Sequence, residues 1–65
     1  MTEFEEGFMF AIACIMRLHN CPTIASDALL ENGYNALDIS QMEYMDKEEL
    51  LKLNCERGVD LTCKN

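Results

Sequence analysis

The sequence predicts an all-α domain of three main short helices, the first strongly apolar and packed in a helical homo-oligomer. Three observations carry this. Helix-start signals recur along the chain, at Thr2, Pro22, Ser40 and Asp46, and stop signals answer them at Asn20, Gly33 and Gly58. The apolar residues between them fall at three- and four-residue spacings, the period of a helix face. Nine apolar residues in a row, Phe8 to Met16, stand in a chain of only 65, too many for one side of a surface helix.

The first helix starts at Thr2-Glu3-Phe4-Glu5, the T-x-x-E spacing of a capping box, in which the Thr2 hydroxyl and the Glu5 carboxylate satisfy orphan backbone N–H groups. Its acidic first turn suits the positive end of the helix dipole, and Arg17 and His19 suit the negative end. Asn20 tolerates a left-handed cap and Pro22 cannot continue the hydrogen-bond ladder, so the helix ends near Leu18 to Asn20. Within it, Phe4, Phe8, Ala11, Ile15 and Leu18 follow the 4-3-4-3 spacing of a coiled-coil seam, and Met9, Ile12, Met16 and His19 make a second seam beside it. Phe10 and Cys14 extend the apolar surface to a third side. Two short helices of the same chain cover only part of such a surface. The expectation is a homodimer or higher oligomer whose interface includes Phe4, Phe8, Met9, Ile12, Ile15 and Met16; the competing arrangement is a monomer whose core wraps the first helix.

Pro22 opens the second helix, with Thr23 as a further cap candidate, and the segment Ile24 to Asn32 closes at Gly33. Ile24, Ala25, Ala28 and Leu29 make its buried stripe. Tyr34 to Ile39 reads as a connector with Tyr34, Leu37 and Ile39 alternating toward the core. Ser40 with Glu43, and Asp46 with Glu49, have capping-box spacing or its aspartate analogue, predicting a turn of helix and then a third main helix from Lys47 to about Arg57. Leu50, Leu51, Leu53 and Cys55 supply its apolar side, Glu43/Lys47 and Glu48/Lys52 are supporting i,i+4 pairs, and Gly58 is the stop. The whole chain, residues 1–65, is one small domain with 59–65 a frayed tail apart from Leu61. A chain this short buries only about 60% of its unfolded surface, so a disulfide, a metal or a second copy is the usual reinforcement.

The charge bounds the partners. Twelve acidic residues against five basic ones give a net charge of −7, which repels a phosphate backbone. Residues 22–53 could be drawn as a helix-turn-helix, but the third helix balances its lysines and arginine with acids and offers no anchor on phosphate. Glu3, Glu5 and Glu6 precede the apolar run where a signal peptide carries bases, and Arg17 closes that run well short of the about 20 residues of a membrane span. The expected compartment is the cytoplasm.

Chemistry has little to build on. Cys14, Cys21, Cys55 and Cys63 with His19 are the soft ligands, and the cysteines are not spaced as the close pairs of structural zinc sites; free thiols are expected, with a metal or redox role left open. A Cys–His nucleophile needs an orienting group and an oxyanion site that so short a chain can scarcely enclose. Gly7, Gly33 and Gly58 are isolated and form no phosphate loop. The reading is a non-enzyme with no cofactor.

The stretches MTEFEEGF, PTIASDALLENGY and DKEELLKLN resemble the small early proteins of lambda-type phages encoded between the exonuclease and excisionase genes. That resemblance covers most of the chain. It implies a small helical accessory protein that acts through protein–protein interaction on phage development or host physiology, in the host cytoplasm, and it supplies no catalytic residues. An acidic face of Glu43, Glu48, Glu49 and Glu56 is expected to dock an unidentified host or phage protein. The alternative is an acidic inhibitor that mimics DNA and occupies a nucleic-acid-binding groove, and the plainest reading is a structural oligomer.

Overall fold

A computed structural model describes residues 1–64. It is all-helical, with α1 at Glu3–His19, α2 at Pro22–Asn32, α3 at Tyr44–Leu51, and a 3-10 turn at Lys52–Cys55 that continues directly from α3. The predicted capping box is present at α1. Glu5 N–H donates to the Thr2 hydroxyl at 3.1 Å, and Thr2 N–H donates to Glu5 Oε1 at 2.7 Å. Asn20 ends the helix in the left-handed region, φ 49°. Gly33, at φ 73°, ends α2, and Tyr34 N–H reaches back to the Leu29 carbonyl at 2.9 Å, the Schellman pattern that satisfies a last-turn acceptor.

The core gathers side chains from every element. Met9, Ile12, Ala13 and Met16 of α1 meet Ala25 and Leu29 of α2, Leu50 of α3, Leu53 of the 3-10 turn, and Ile39, Met42, Val59 and Leu61 of the connecting segments. Phe8 packs at its margin, its ring edge-on to Tyr34 at 5.1 Å and 80°. Each large side chain buried this way is worth about 1.5–3 kcal/mol over its exposed state. The 34–39 connector behaves as its alternation predicts, with Ile39 buried and Tyr34 and Leu37 packed against the core.

Five expectations need correction, four of them on the helices. The third helix starts at Tyr44, not Lys47, and loosens to 3-10 geometry after Leu51, before Arg57. Neither Ser40 nor Asp46 caps it: its first-turn position is led by Glu43 without a side-chain bond, and Asp46 is turned inward to an ion pair. The i,i+4 pairs give way to one i,i+3 pair, Lys52 Nζ to Glu49 Oε2 at 2.9 Å. On the apolar stripes, Ile24 and Leu51 are exposed, as is Cys55, because the helices meet the core through Ala25, Leu29, Leu50 and Leu53 instead.

The tail is the largest correction. Leu61 is in the core as expected, but Val59 joins it there and Thr62 forms a parallel bridge with Asp38. Asp60 N–H donates to Asn35 O at 2.8 Å, Thr62 N–H to Leu37 O at 3.1 Å, and Ile39 N–H to Thr62 O at 2.8 Å. Gly58 makes the approach possible: its φ is 85°, and a Cβ there would lie 3.1 Å from Leu30 Cδ2. Asn54 then clamps the chain, its amide donating to Leu61 O at 2.9 Å and accepting from Leu61 N–H at 2.8 Å. The tail is therefore docked through Thr62; Asn65, the last residue of the expected frayed segment, lies outside the described residues.

Candidate functional site

The two seams of α1 have separate fates. The one formed by Met9, Ile12 and Met16 is the chain's own core, so those three residues are not available to a second subunit as the sequence led us to expect. The α1 surface is wrapped on that side by the chain itself, as in the competing monomer arrangement. The other seam is covered only in part: Phe4 is 70% exposed, Leu18 75% and Ala11 exposed, whereas Phe8 and Ile15 are half-buried and pack against the core. None of the five carries a charge. Phe4 and Phe8 lie against each other with ring centroids 6.4 Å apart, so the seam is continuous at its N-terminal end.

On another flank of α1 runs an open groove of about 840 Å³ between that helix and the segment leading into α3. Glu3, Glu6, Gly7, Phe10 and Arg17 form one wall, and Gln41 to Glu43, Met45 and Asp46 the other. Helical spacing puts the α1 members on one face, because positions three, four and seven apart stack above one another. Phe10 is 52% exposed and Met45 67%, so the groove carries apolar side chains that the fold leaves open to solvent.

Arg17 closes one end. Its Nη1 donates to Asp46 Oδ1 at 2.9 Å and its Nη2 to Cys14 Sγ at 3.6 Å. The hydrogen bond to Asp46 holds the guanidinium above its ordinary value, and the charge of that carboxylate acts in the same direction. Asp46 is itself buried, which explains why a residue with the look of a cap is used as a tether between α1 and α3. Glu3, Glu6 and Glu43 are exposed carboxylates along the groove.

The four expected docking carboxylates do not form one exposed face. Glu43 lines the groove. Glu48 is exposed, and the interaction of its carboxylate with the Tyr44 hydroxyl pushes that phenol above its ordinary value. Glu49 is half-buried and paired with Lys52, and Glu56 is half-buried where the 3-10 turn ends. Consecutive helical residues point about 100° apart, so Glu48 and Glu49 diverge. Glu3 and Glu6, read from the sequence as dipole partners and as the wrong sign for a signal peptide, are the acids that line the groove with Glu43; no local signal links positions 3 and 43.

All four cysteines are free thiols, Cys14 and Cys21 half-buried and Cys55 and Cys63 exposed. Among the described residues no three His, Cys, Asp or Glu side chains converge as a metal site would require. No helix among them is long and apolar enough to cross a membrane. Comparison with protein-family models, with curated proteins and with solved structures gives no match.

Proposed function

We propose that the chain is a non-enzymatic accessory protein of the regulatory kind that phage early regions encode, and that it acts by binding proteins, a second copy of itself included. The observation that carries this reading is the partly uncovered seam of α1, on which Phe4, Ala11 and Leu18 face solvent. Phe4, Phe8, Ala11, Ile15 and Leu18 keep the 4-3-4-3 spacing of a coiled-coil interface on a charge-free strip of a protein whose net charge is −7. Large exposed apolar strips of this kind mark interaction surfaces, and hiding one gains about 25 cal/mol per Å² of apolar area before the entropy of association is deducted. The DNA-mimic reading has less support, since Asp46 and Glu49 are engaged with Arg17 and Lys52 within the fold.

Sedimentation equilibrium tests it. Wild type should self-associate in the micromolar range, and Phe4→Glu/Leu18→Glu should be monomeric with unchanged helical circular dichroism, because both side chains already face solvent. Ile12→Glu, whose side chain is buried in the core, should unfold the chain. A wild type that stays monomeric throughout that range removes the self-association, and a double variant that remains dimeric moves the interface off the seam.

A further inference from the structure

We infer that the groove between α1 and the entry to α3 is a docking site for a basic amphipathic helix of a partner protein. This rests on the protein-interaction reading above and names the site and the chemistry of its occupant.

Along its α1 wall the groove runs from the carboxylates of Glu3 and Glu6 past Phe10 to Arg17, and Glu43 and Met45 belong to the opposite wall. Phe10 comes from α1 and Met45 from α3, both substantially exposed, and the thioether of a methionine adapts to differently shaped apolar partners. Glu3 and Glu6 line one wall and Glu43 the other, and all three are exposed. The cations nearby are already occupied or outnumbered. Arg17 is held by Asp46 at 2.9 Å, and the Met1 amino group, which donates to Gln41 Oε1 at 3.4 Å, offsets one of the three remaining carboxylates. From Glu3 to Arg17 the α1 wall runs about 21 Å, enough for a ligand helix of about four turns. Laying an apolar stripe between two helices, with basic residues over the lining carboxylates, is the helix-in-groove mode of recognition.

Charge decides between occupants. A second copy of this chain brings seven further net negative charges to these carboxylates, and a nucleic acid or an anionic lipid surface is repelled in the same way. A lysine- or arginine-flanked apolar stripe satisfies both the carboxylates and the exposed Phe10 and Met45. Gly7 adds room: nothing lies within 4 Å of the position a Cβ would take there, so the backbone of α1 can be approached closely along the groove.

The test uses the full chain and three synthetic four-turn helical peptides: leucines at i, i+3, i+4 and i+7 with lysines elsewhere, the same peptide with glutamates for the lysines, and a lysine peptide with no leucine stripe. The leucine–lysine peptide should bind saturably, with amide shifts concentrated at Phe10 and Met45, and more weakly as salt rises. Glu3→Gln/Glu6→Gln/Glu43→Gln should lose about tenfold in affinity and most of the salt dependence. Phe10→Ala/Met45→Ala, which removes only exposed side chains, should lose binding while keeping its helical spectrum. Absence of saturable binding by wild type overturns the proposal. So do equal binding by the glutamate peptide or by the stripeless lysine peptide, and shifts centred on Phe4 and Leu18. The two readings fail separately: a chain that self-associates but ignores the peptide loses only the groove assignment, and a monomer that binds the peptide loses only the seam.

Discussion

Asn54 carries more of this fold than its surface position suggests. Its side-chain amide makes two hydrogen bonds to the backbone of Leu61, at 2.9 and 2.8 Å, and so replaces the strand partner that the Leu61 peptide groups would otherwise lack. Leu61 is buried, and leaving its N–H and C=O without partners costs about 1–3 kcal/mol. Asn54→Ala should therefore lower the melting temperature by several degrees, at about 4–8 °C per kcal/mol for a domain of this size. Asn54→Asp keeps the acceptor for Leu61 N–H and loses the donor, so it should fall between the two. Chemical denaturation of the three proteins checks the order; an Asn54→Ala protein as stable as wild type would show that the tail is held by Val59 and Leu61 alone. In the sequence Asn54 is one polar residue in a helical pattern. Its role arises from a contact seven residues away, which no helix period or cap signal encodes.

At the scale of elements, legibility follows the range of the interactions that set each boundary. The start of α1 is fixed by Thr2 and Glu5, three residues apart, and the end of α2 by Gly33 and its neighbours, and both were readable because the atoms involved are local. The start of α3 was not, because Asp46 has the spacing of a cap but is drawn to Arg17, 29 residues away. The tail was misjudged because its partner is distant in sequence: it and the connector satisfy one another. Asp38 sits where they join. Its Oδ1 accepts from Ser40 N–H at 3.0 Å and from Lys64 N–H at 3.4 Å, and the Ser40 backbone bond is the main reason its carboxyl lies below the ordinary 3.8. A folded value below the unfolded one means that the ionised form favours the native state. The contribution is present above the ordinary aspartate value and disappears as pH falls through the depressed one. Asp38→Ala should therefore be less stable than wild type at pH 7, with the difference closing below about pH 4. Urea midpoints at pH 7 and pH 3 measure this, and a gap that persists undiminished at pH 3 would trace the effect to packing instead of charge. The candidate site divides in the same way. The partly exposed seam was legible as a 4-3-4-3 pattern within one helix, whereas the pattern alone could not tell it from the neighbouring seam that the core consumes, nor bring Glu43 to Glu3 and Glu6.

The whole molecule is a small acidic body, 25 × 22 × 20 Å with a net charge of −7, and its size sets how salt acts on it. At about 0.01 M ionic strength the screening length is about 30 Å, longer than the protein, so every carboxylate repels every other; at about 1 M it is about 3 Å and only direct contacts survive. Two opposing effects compete. Screening weakens the Arg17–Asp46 and Lys52–Glu49 pairs, but partly exposed pairs of this kind contribute little. Screening also removes the mutual repulsion of twelve acids that five bases cannot balance, and that effect acts over the entire surface. Repulsion should dominate, so the urea midpoint should rise between 0.01 and about 1 M sodium chloride. The measurement belongs on Phe4→Ser/Leu18→Ser, since salt also favours association of like-charged copies and association by itself stabilises the native state. Binding of the leucine–lysine peptide should respond in the opposite sense, because there the screened interaction is an attraction. A fold that weakens with salt would mean that the two ion pairs outweigh the net charge. A peptide affinity that does not fall with salt would mean that Glu3, Glu6 and Glu43 contribute nothing to the groove.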